Sequence, residues 1–313
     1  VKEAPLFWQE AFWEANNTAQ GRCVRAQAPS GEWIFFLQSD GSAQVPGPAT
    51  FGGWLSPGAP NTNVDLVSLL YLELFQMIPV QKWTVSLPPA HYLPDVFGPQ
   101  ARALNQLAQS VIVETNSTIS LTDNIQDMPR YGFSKGNWKR NRAFLDRGGV
   151  IRLARPQEVS ACYHLLEHNR RRRGVTLSIP EAKFHLLTNV FPSVFRVWVA
   201  ELDGELLGAA LTVEIDETTS YVFFWGDSPE GRALSVVASI CRFLIDIGKA
   251  EGKTSLDLGL SSQFGVVDEG LLKFKQNLGA SEYPQYKFEL DSSLAIERTN
   301  LEIVPGQIAF SNF

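Results

Sequence analysis

A chain of 313 residues with 44% hydrophobic residues can bury more than one core, and that length is typical of two domains. Its 27 basic against 33 acidic residues argue against a protein that mainly coats nucleic acid, because such domains carry a net positive footprint. Cys23, Cys162 and Cys241 stand singly among apolar neighbours, and His91, His164, His168 and His185 supply no HExxH motif, so no metal site is expected.

No run approaches the roughly 18 apolar residues of a membrane span, and the amino-terminal stretch VKEAPLFWQEAFWEANN has acids where a signal peptide is apolar. The expectation is a soluble, cytoplasmic protein with reduced cysteines.

In chain order, CVRAQA and EWIFFLQ flank Ser30-Gly31, a hairpin signal, and ATFGGWL leads towards a helix over 64–78. Val64, Val67, Leu70, Tyr71, Leu74, Phe75 and Ile78 recur there at the spacing of one helical face. Pro79 ends the helix, and KWTVSL reads as a strand before Pro88-Pro89. YGFSKGNWKRNRAFLDRGGVIRLA then gives a basic helix stopped by two glycines, followed by a helix from about Pro156 that ends in NRRRRG.

The carboxyl half repeats the first order of elements: VFRVWVAEL, the turn Asp203-Gly204, ELLGAALTVEI, TSYVFFWGD, a helix, and TSLDLGL. That helix sets Leu234, Val237, Ala238, Cys241, Leu244, Ile245 and Gly248 on one face, with Gly252 past its end. Trp54 to Val85 and Trp225 to Asp257 span nearly equal lengths. The pattern predicts two copies of one hairpin–strand–helix–strand unit, offset by roughly 170 residues, and hence two α/β domains with mixed sheets and flanking helices.

Three stretches, in this order and spacing, resemble the Fem-type (FemAB-like) double-domain branch of the GNAT-like acyltransferases: SKGNWKRNRAFLDRGGV, VWVAELDGELLGAALTV and LDLGLSSQFGVVDEGLLKFKQNLGA. The resemblance covers most of the chain. It implies two tandem GNAT-like domains, each a mixed, mostly antiparallel sheet flanked by helices, over 1–130 and 156–313, with a basic interdomain helix and strand over 131–155. The carboxyl-terminal domain is the one expected to be active.

It also implies transfer of an acyl group from a thioester donor, acyl-CoA as co-substrate, to a small-molecule or precursor amine by direct displacement. Two alternatives stand beside it: an aminoacyl-tRNA-dependent peptidyltransferase acting on a cell-wall precursor, and a GNAT-like protein that only binds. The acidic balance and the lack of a long coiled-coil insertion lean away from tRNA as a partner.

Acyl transfer to an amine requires a neutral amine, a route for its proton and donors for the oxyanion. Asp257, an acid within a strand, is the candidate for the proton; alternatively it hydrogen-bonds the Gly259-Leu260-Ser261 loop. Phe274 and Lys275 match the family's Phe-Lys pair, for which the resemblance implies a place beside the transfer site; alternatively they belong to a plain amphipathic helix. Ser261 lies in the same loop and lacks a His partner at a suggestive spacing.

Tyr221 and Trp225, on one face by strand alternation, either wall an acceptor pocket or pack the core. Arg140 and Arg142, with Lys135 and Lys139, are candidates for an acceptor phosphate or a tRNA backbone, and Arg170 to Arg173 for an anionic substrate. The stretch GDSPEGRALSV departs from the family's Gln/Arg-x-x-Gly-x-Gly/Ala loop, but Gly231 and Arg232 offer close backbone approach and a cation for a phosphate of acyl-CoA. The matching stretch of the first copy, LSPGAPNTNVDL, has no cation.

Overall fold

The computed structural model describes residues 6–8, 12, 21–28, 31–46, 49–55, 63–122, 133–297 and 309–312. In the first half, β1 (Gly21–Ala28) and β2 (Gly31–Gln38) pair antiparallel and close at Ala28 and Gly31. Ser30, expected in their turn, lies outside the described residues, as do 56–62 of the cation-free loop and most of the amino-terminal stretch. Next come β3 (Ala43–Val45) and β4 (Trp54–Leu55). The helix α1 (Val64–Met77) starts where the Asn63 side chain accepts from the Asp65 and Leu66 amides, satisfying donors that a first turn leaves open. Then follow β5 (Lys82–Ser86), α2 (Pro94–Leu107) and the long β6 (Ser110–Ser120).

The basic stretch is α3 (Lys135–Asp146), capped by Ser134 and stopped where Gly148 takes φ +88°. After β7 (Val150–Leu153) come α4 (Val159–Arg171) and α5 (Glu181–Val190). The hairpin of β8 (Phe195–Leu202) and β9 (Glu205–Glu214) turns on Asp203 and Gly204, both at positive φ, which suits the right-handed twist of paired strands.

Strand β10 (Thr219–Asp227) leads to α6 (Pro229–Ala233) and α7 (Val236–Ala250). The sequence predicts one helix here; Ser235, left-handed at φ 55°, divides it in two. Then come β11 (Ser255–Leu260), the short hairpin β12 (Ser262–Gln263) and β13 (Val266–Val267), α8 (Glu269–Gln276), β14 (Ser281–Asp291), α9 (Ser292–Glu297) and β15 (Ala309–Asn312).

Two compact units result: Val1–Thr115 with Ser262–Val267 and Tyr283–Phe313, and Asn116–Ser261 with Asp268–Glu282. These are not consecutive stretches of chain, in contrast to the 1–130 and 156–313 read from sequence. The first has the strand order β15-β1-β2-β3-β5-β14, with α1 and the aromatic rings of Trp33, Trp54, Tyr71, Phe75 and Trp83 in its core. The second has β6-β11-β10-β9-β8-β7. There α7 packs Val236, Ile240, Cys241 and Leu244 onto Trp198, Ala210, Val222, Leu256 and Leu258.

The duplication is visible strand by strand. In each copy a hairpin feeds a strand, a helix and a second strand parallel to the first: β3 and β5 in one, β10 and β11 in the other. The strand that feeds the first-copy helix is β3, however, and not the expected ATFGGWL, whose Trp54-Leu55 pairs with β2 instead. Trp54 and Trp225 are therefore not equivalent. The pairing registers give a better ruler: Val45↔Val85 in the first copy takes the place of Tyr221↔Asp257 in the second.

Each copy continues with a helix and a long strand, β5-α2-β6 and β11-α8-β14, but the last strands are exchanged. Strand β6 pairs antiparallel with β11, and β14 with β5. Sequence reading missed both strands, along with α2 and α5. SVIVETNSTIS is too polar and SEYPQYKFELD too charged and proline-interrupted to show a strand period.

Candidate active site at the end of the central strand

Asp257 is fully buried in β11. A bare carboxylate in such a place costs several kcal/mol, and the local backbone supplies what offsets that cost. Asp257 Oδ1 accepts from the Gly259 amide at 2.6 Å and from Asn116 Nδ2 at 2.9 Å, while Asn116 Oδ1 accepts from Thr118 Oγ1 at 2.8 Å. The first bond is a turn of the kind Asp makes two residues on.

It goes with a break in regular pairing. Gly259 sits at φ +76°, and the β6–β11 register slips between Asp257 and Leu260. A Cβ at Gly259 would stand 3.3 Å from the Tyr221 ring, so glycine also permits that close approach.

The carbonyls that this turn presents are taken by Lys275. Its helix, α8, is capped by Asp268, whose Oδ1 accepts from the Leu271 amide at 2.9 Å. Lys275 is only 2% exposed, and its Nζ donates to Gly259 O at 2.8 Å and Leu260 O at 2.7 Å. Burial pulls the ammonium down to about 7, Asp257 works against that, Arg170 adds to it, and Asp268 opposes it. A lysine near 7 exchanges its proton readily at neutral pH. Ser261 is buried beside this turn, with its Oγ 2.8 Å from Ser117 Oγ and its carbonyl accepting the Asp268 amide.

Asp257, Ser261 and Lys275 are thus brought together. Asn116, Ser117 and Thr118, which complete the buried polar cluster, were not singled out from sequence; three successive polar residues buried inside a strand were the signal.

Tyr221 and Trp225 part company. A bulge at Phe223 shifts the register of β10, so that Tyr221 and Phe224 pair with Val213 and Leu211, whereas Val222 and Trp225 pair with Thr212 and Ala210. One extra residue sends the two aromatics to opposite faces, correcting the expectation from simple alternation. Tyr221 shares a face with its register partner Asp257, while Leu256 and Leu258 face α7. Trp225 packs on the α7 core and meets Phe274 edge-on, with 5.9 Å between ring centroids, so both rings belong to that apolar layer.

The remaining basic candidates have visible structural occupations. Arg140 is exposed and donates to Asn137 Oδ1 at 2.9 Å, and Asn137 Nδ2 in turn bonds Asn277 O just beyond Lys275. Arg142 is exposed on the same helix. The Gly231 amide donates to Ser228 Oγ at 3.0 Å, and a Cβ there would lie 2.1 Å from Leu207 O, so this glycine serves close packing of α6 on β9. Arg232 Nη2 is paired with Asp227 Oδ1 at 2.9 Å.

No family model matches the chain, and no curated protein matches it. Solved structures do. The crystal structure of FemX covers 92% of this chain and 93% of its own at 12% identity, with a TM-score of 0.69. L-PGS from Bacillus licheniformis covers 89% and 88% at 11% identity, with a TM-score of 0.57. A tandem GNAT protein from the clavulanic acid biosynthesis pathway covers 88% and 85% at 12% identity, with a TM-score of 0.50. The chain has a GNAT-like, Fem-type double-domain fold.

Proposed function

We propose that the chain is an acyltransferase that moves an acyl group from an activated ester or thioester to an amine by direct displacement, in the unit that holds Lys275. The observation that supports it is the Lys275 side chain, buried at an interrupted strand end with its Nζ on two backbone carbonyls. A lysine ammonium has three N–H donors, and Gly259 and Leu260 take two. The third is suited to the oxyanion that forms when the amine attacks the carbonyl carbon and the carbonyl π electrons move to oxygen. Collapse of that intermediate expels the sulfur or oxygen of the donor, which takes up the proton lost by the amine.

Asp257 acts in this scheme as a positioning residue. Its carboxylate holds the Gly259 amide, which turns the Gly259 and Leu260 carbonyls towards Lys275, and its charge favours the ammonium form. With purified protein, a donor and an amine, Lys275→Ala should lower kcat by about 100- to 1,000-fold. Unchanged turnover by a folded Lys275→Ala variant removes Lys275 from the chemistry.

A second reading concerns the donor. Gly231 and Arg232, the residues expected to hold a phosphate of acyl-CoA, are occupied by Ser228, Leu207 and Asp227, which favours an aminoacyl-tRNA over acyl-CoA. Calorimetry with CoA and acetyl-CoA, set against salt-dependent binding of charged tRNA, separates the two. Tight CoA binding would overturn the tRNA reading. Among the described residues, no helix is long and apolar enough to cross a membrane.

A further inference from the structure

Arg170 lies in the last turn of α4, on the face of β10 that carries Tyr221 and Phe224. Its guanidinium carbon lies 5.7 Å from the centre of the Phe224 ring. The next arginine in the run is engaged elsewhere: Arg171 is paired with Glu167 at 3.1 Å and is largely exposed. The carboxylate on the adjoining strand end, Asp227, is occupied, because Oδ1 receives Asn169 Nδ2 at 2.9 Å and Arg232 Nη2 at 2.9 Å. Among the described residues no carboxylate lies within ion-pair distance of Arg170.

Burial, and then the like charge of Arg173, work against the charge of this half-buried cation, while the Tyr221 phenol favours it. Arg170 in turn disfavours the charge of Lys275. A cation resting on an aromatic ring with its planar fork unpaired, and close enough to Lys275 to disfavour its charge, matches a planar or tetrahedral oxyanion. An arginine kept only for packing over Phe224 would gain by pairing with an acid, and the acid at hand has been given to Asn169 and Arg232.

We infer that Arg170 receives an oxyanion of the substrate, a carboxylate or a phosphate, so that the molecule handled beside Lys275 carries negative charge close to its reacting group. This rests on the transfer site proposed above, but the binding it requires is measurable without turnover. The Phe224 ring lies beside the guanidinium, and Tyr221, whose ring would stand 3.3 Å from a Cβ at Gly259, also favours the Arg170 charge.

The test is an NMR titration of the intact chain with inorganic phosphate and, separately, acetate, following the arginine side-chain N–H signals. Wild-type protein should show a saturable shift with at least one of them. Arg170→Gln should weaken it at least tenfold, Arg170→Lys at least threefold, and Arg171→Gln should leave it within twofold. A response to phosphate alone assigns a phosphoryl group, and an equal response to acetate assigns a carboxylate. Should Arg170→Gln fail to fold, Arg170→Lys decides. No saturable response to either anion, wild-type binding by the Arg170 variants, or an equal loss in Arg171→Gln would overturn the assignment. Lys275→Ala should retain the anion, so a chain that binds anions yet transfers nothing would defeat the transfer reading and leave Arg170 standing.

Discussion

The two copies of the repeat place very different residues at the same point of their sheets. In the first, Val85 pairs with Val45 on one side and Phe288 on the other, and the strand end is apolar. In the second, Asp257 pairs with Tyr221 and Thr118. The helices that follow differ in the same way. Counted from the N-cap, Gln100 of α2 and Lys275 of α8 hold the same position, seven residues on from Leu93 and Asp268.

Gln100 is fully buried and neutral, with its amide satisfied by the Trp54 backbone, Val96 O and the Tyr71 hydroxyl. Lys275 is buried as a base that burial brings down to about 7. The fold therefore accepts a closed, neutral arrangement here, and the acid and the lysine of the second copy are an addition to it. Additions that cost stability without improving packing mark the unit where chemistry is to be sought.

The comparison can be broken from either side. Val85→Asp should be the most damaging change: it puts a carboxylate into an apolar strand end with Phe288 opposite and no equivalent of Asn116, and should cost about 4 kcal/mol or more, read as a fall in urea midpoint. Lys275→Ala comes next, with its loss of about 3–4 kcal/mol in transition-state binding against a smaller change in stability. Asp257→Asn keeps an oxygen for the Gly259 amide but loses the charge. It should cost about 1–3 kcal/mol in stability and lower kcat more than KM if the carboxylate sustains the ammonium.

A pH dependence tests the lysine directly. The folded chain holds Lys275 near 7, below the ordinary 10.5, so between those values the unfolded chain binds more protons and stability rises with pH. Relative to Lys275→Met, the wild type should gain stability progressively as pH goes from about 7 towards 10, and equal slopes for the two proteins would refute the lowered value.

Much of the second unit was legible because its elements carry strong periods. The apolar runs of β8 and β9, the Asp203-Gly204 turn between them and the apolar face of α7 each point one way. What escaped depends on pairing across distance. Strands β6 and β14 are read as strands only when their partners are known, and the bulge at Phe223, invisible in composition, decides which face Tyr221 and Trp225 take. At the site, Asp257, Ser261 and Lys275 were legible as polar residues in an apolar setting. Asn116 and Thr118 were not, because their role is to satisfy an acid 141 residues away in the case of Asn116.

The exchange of β6 and β14 has a consequence for the order in which the protein comes into being. A ribosome that has finished the first hairpin, α1 and β5 has not yet made β14, the strand that must lie against β5, and will not make it until residue 291. Nor does the amino-terminal half hold its own β6 for itself, since that strand waits for β11. The early half of the nascent chain therefore leaves the ribosome with one sheet edge open and a spare strand, the condition in which chains invite wrong partners. A fragment ending before residue 283 should bind holdase chaperones far more strongly than the full chain, although it contains every described strand except β14 and β15.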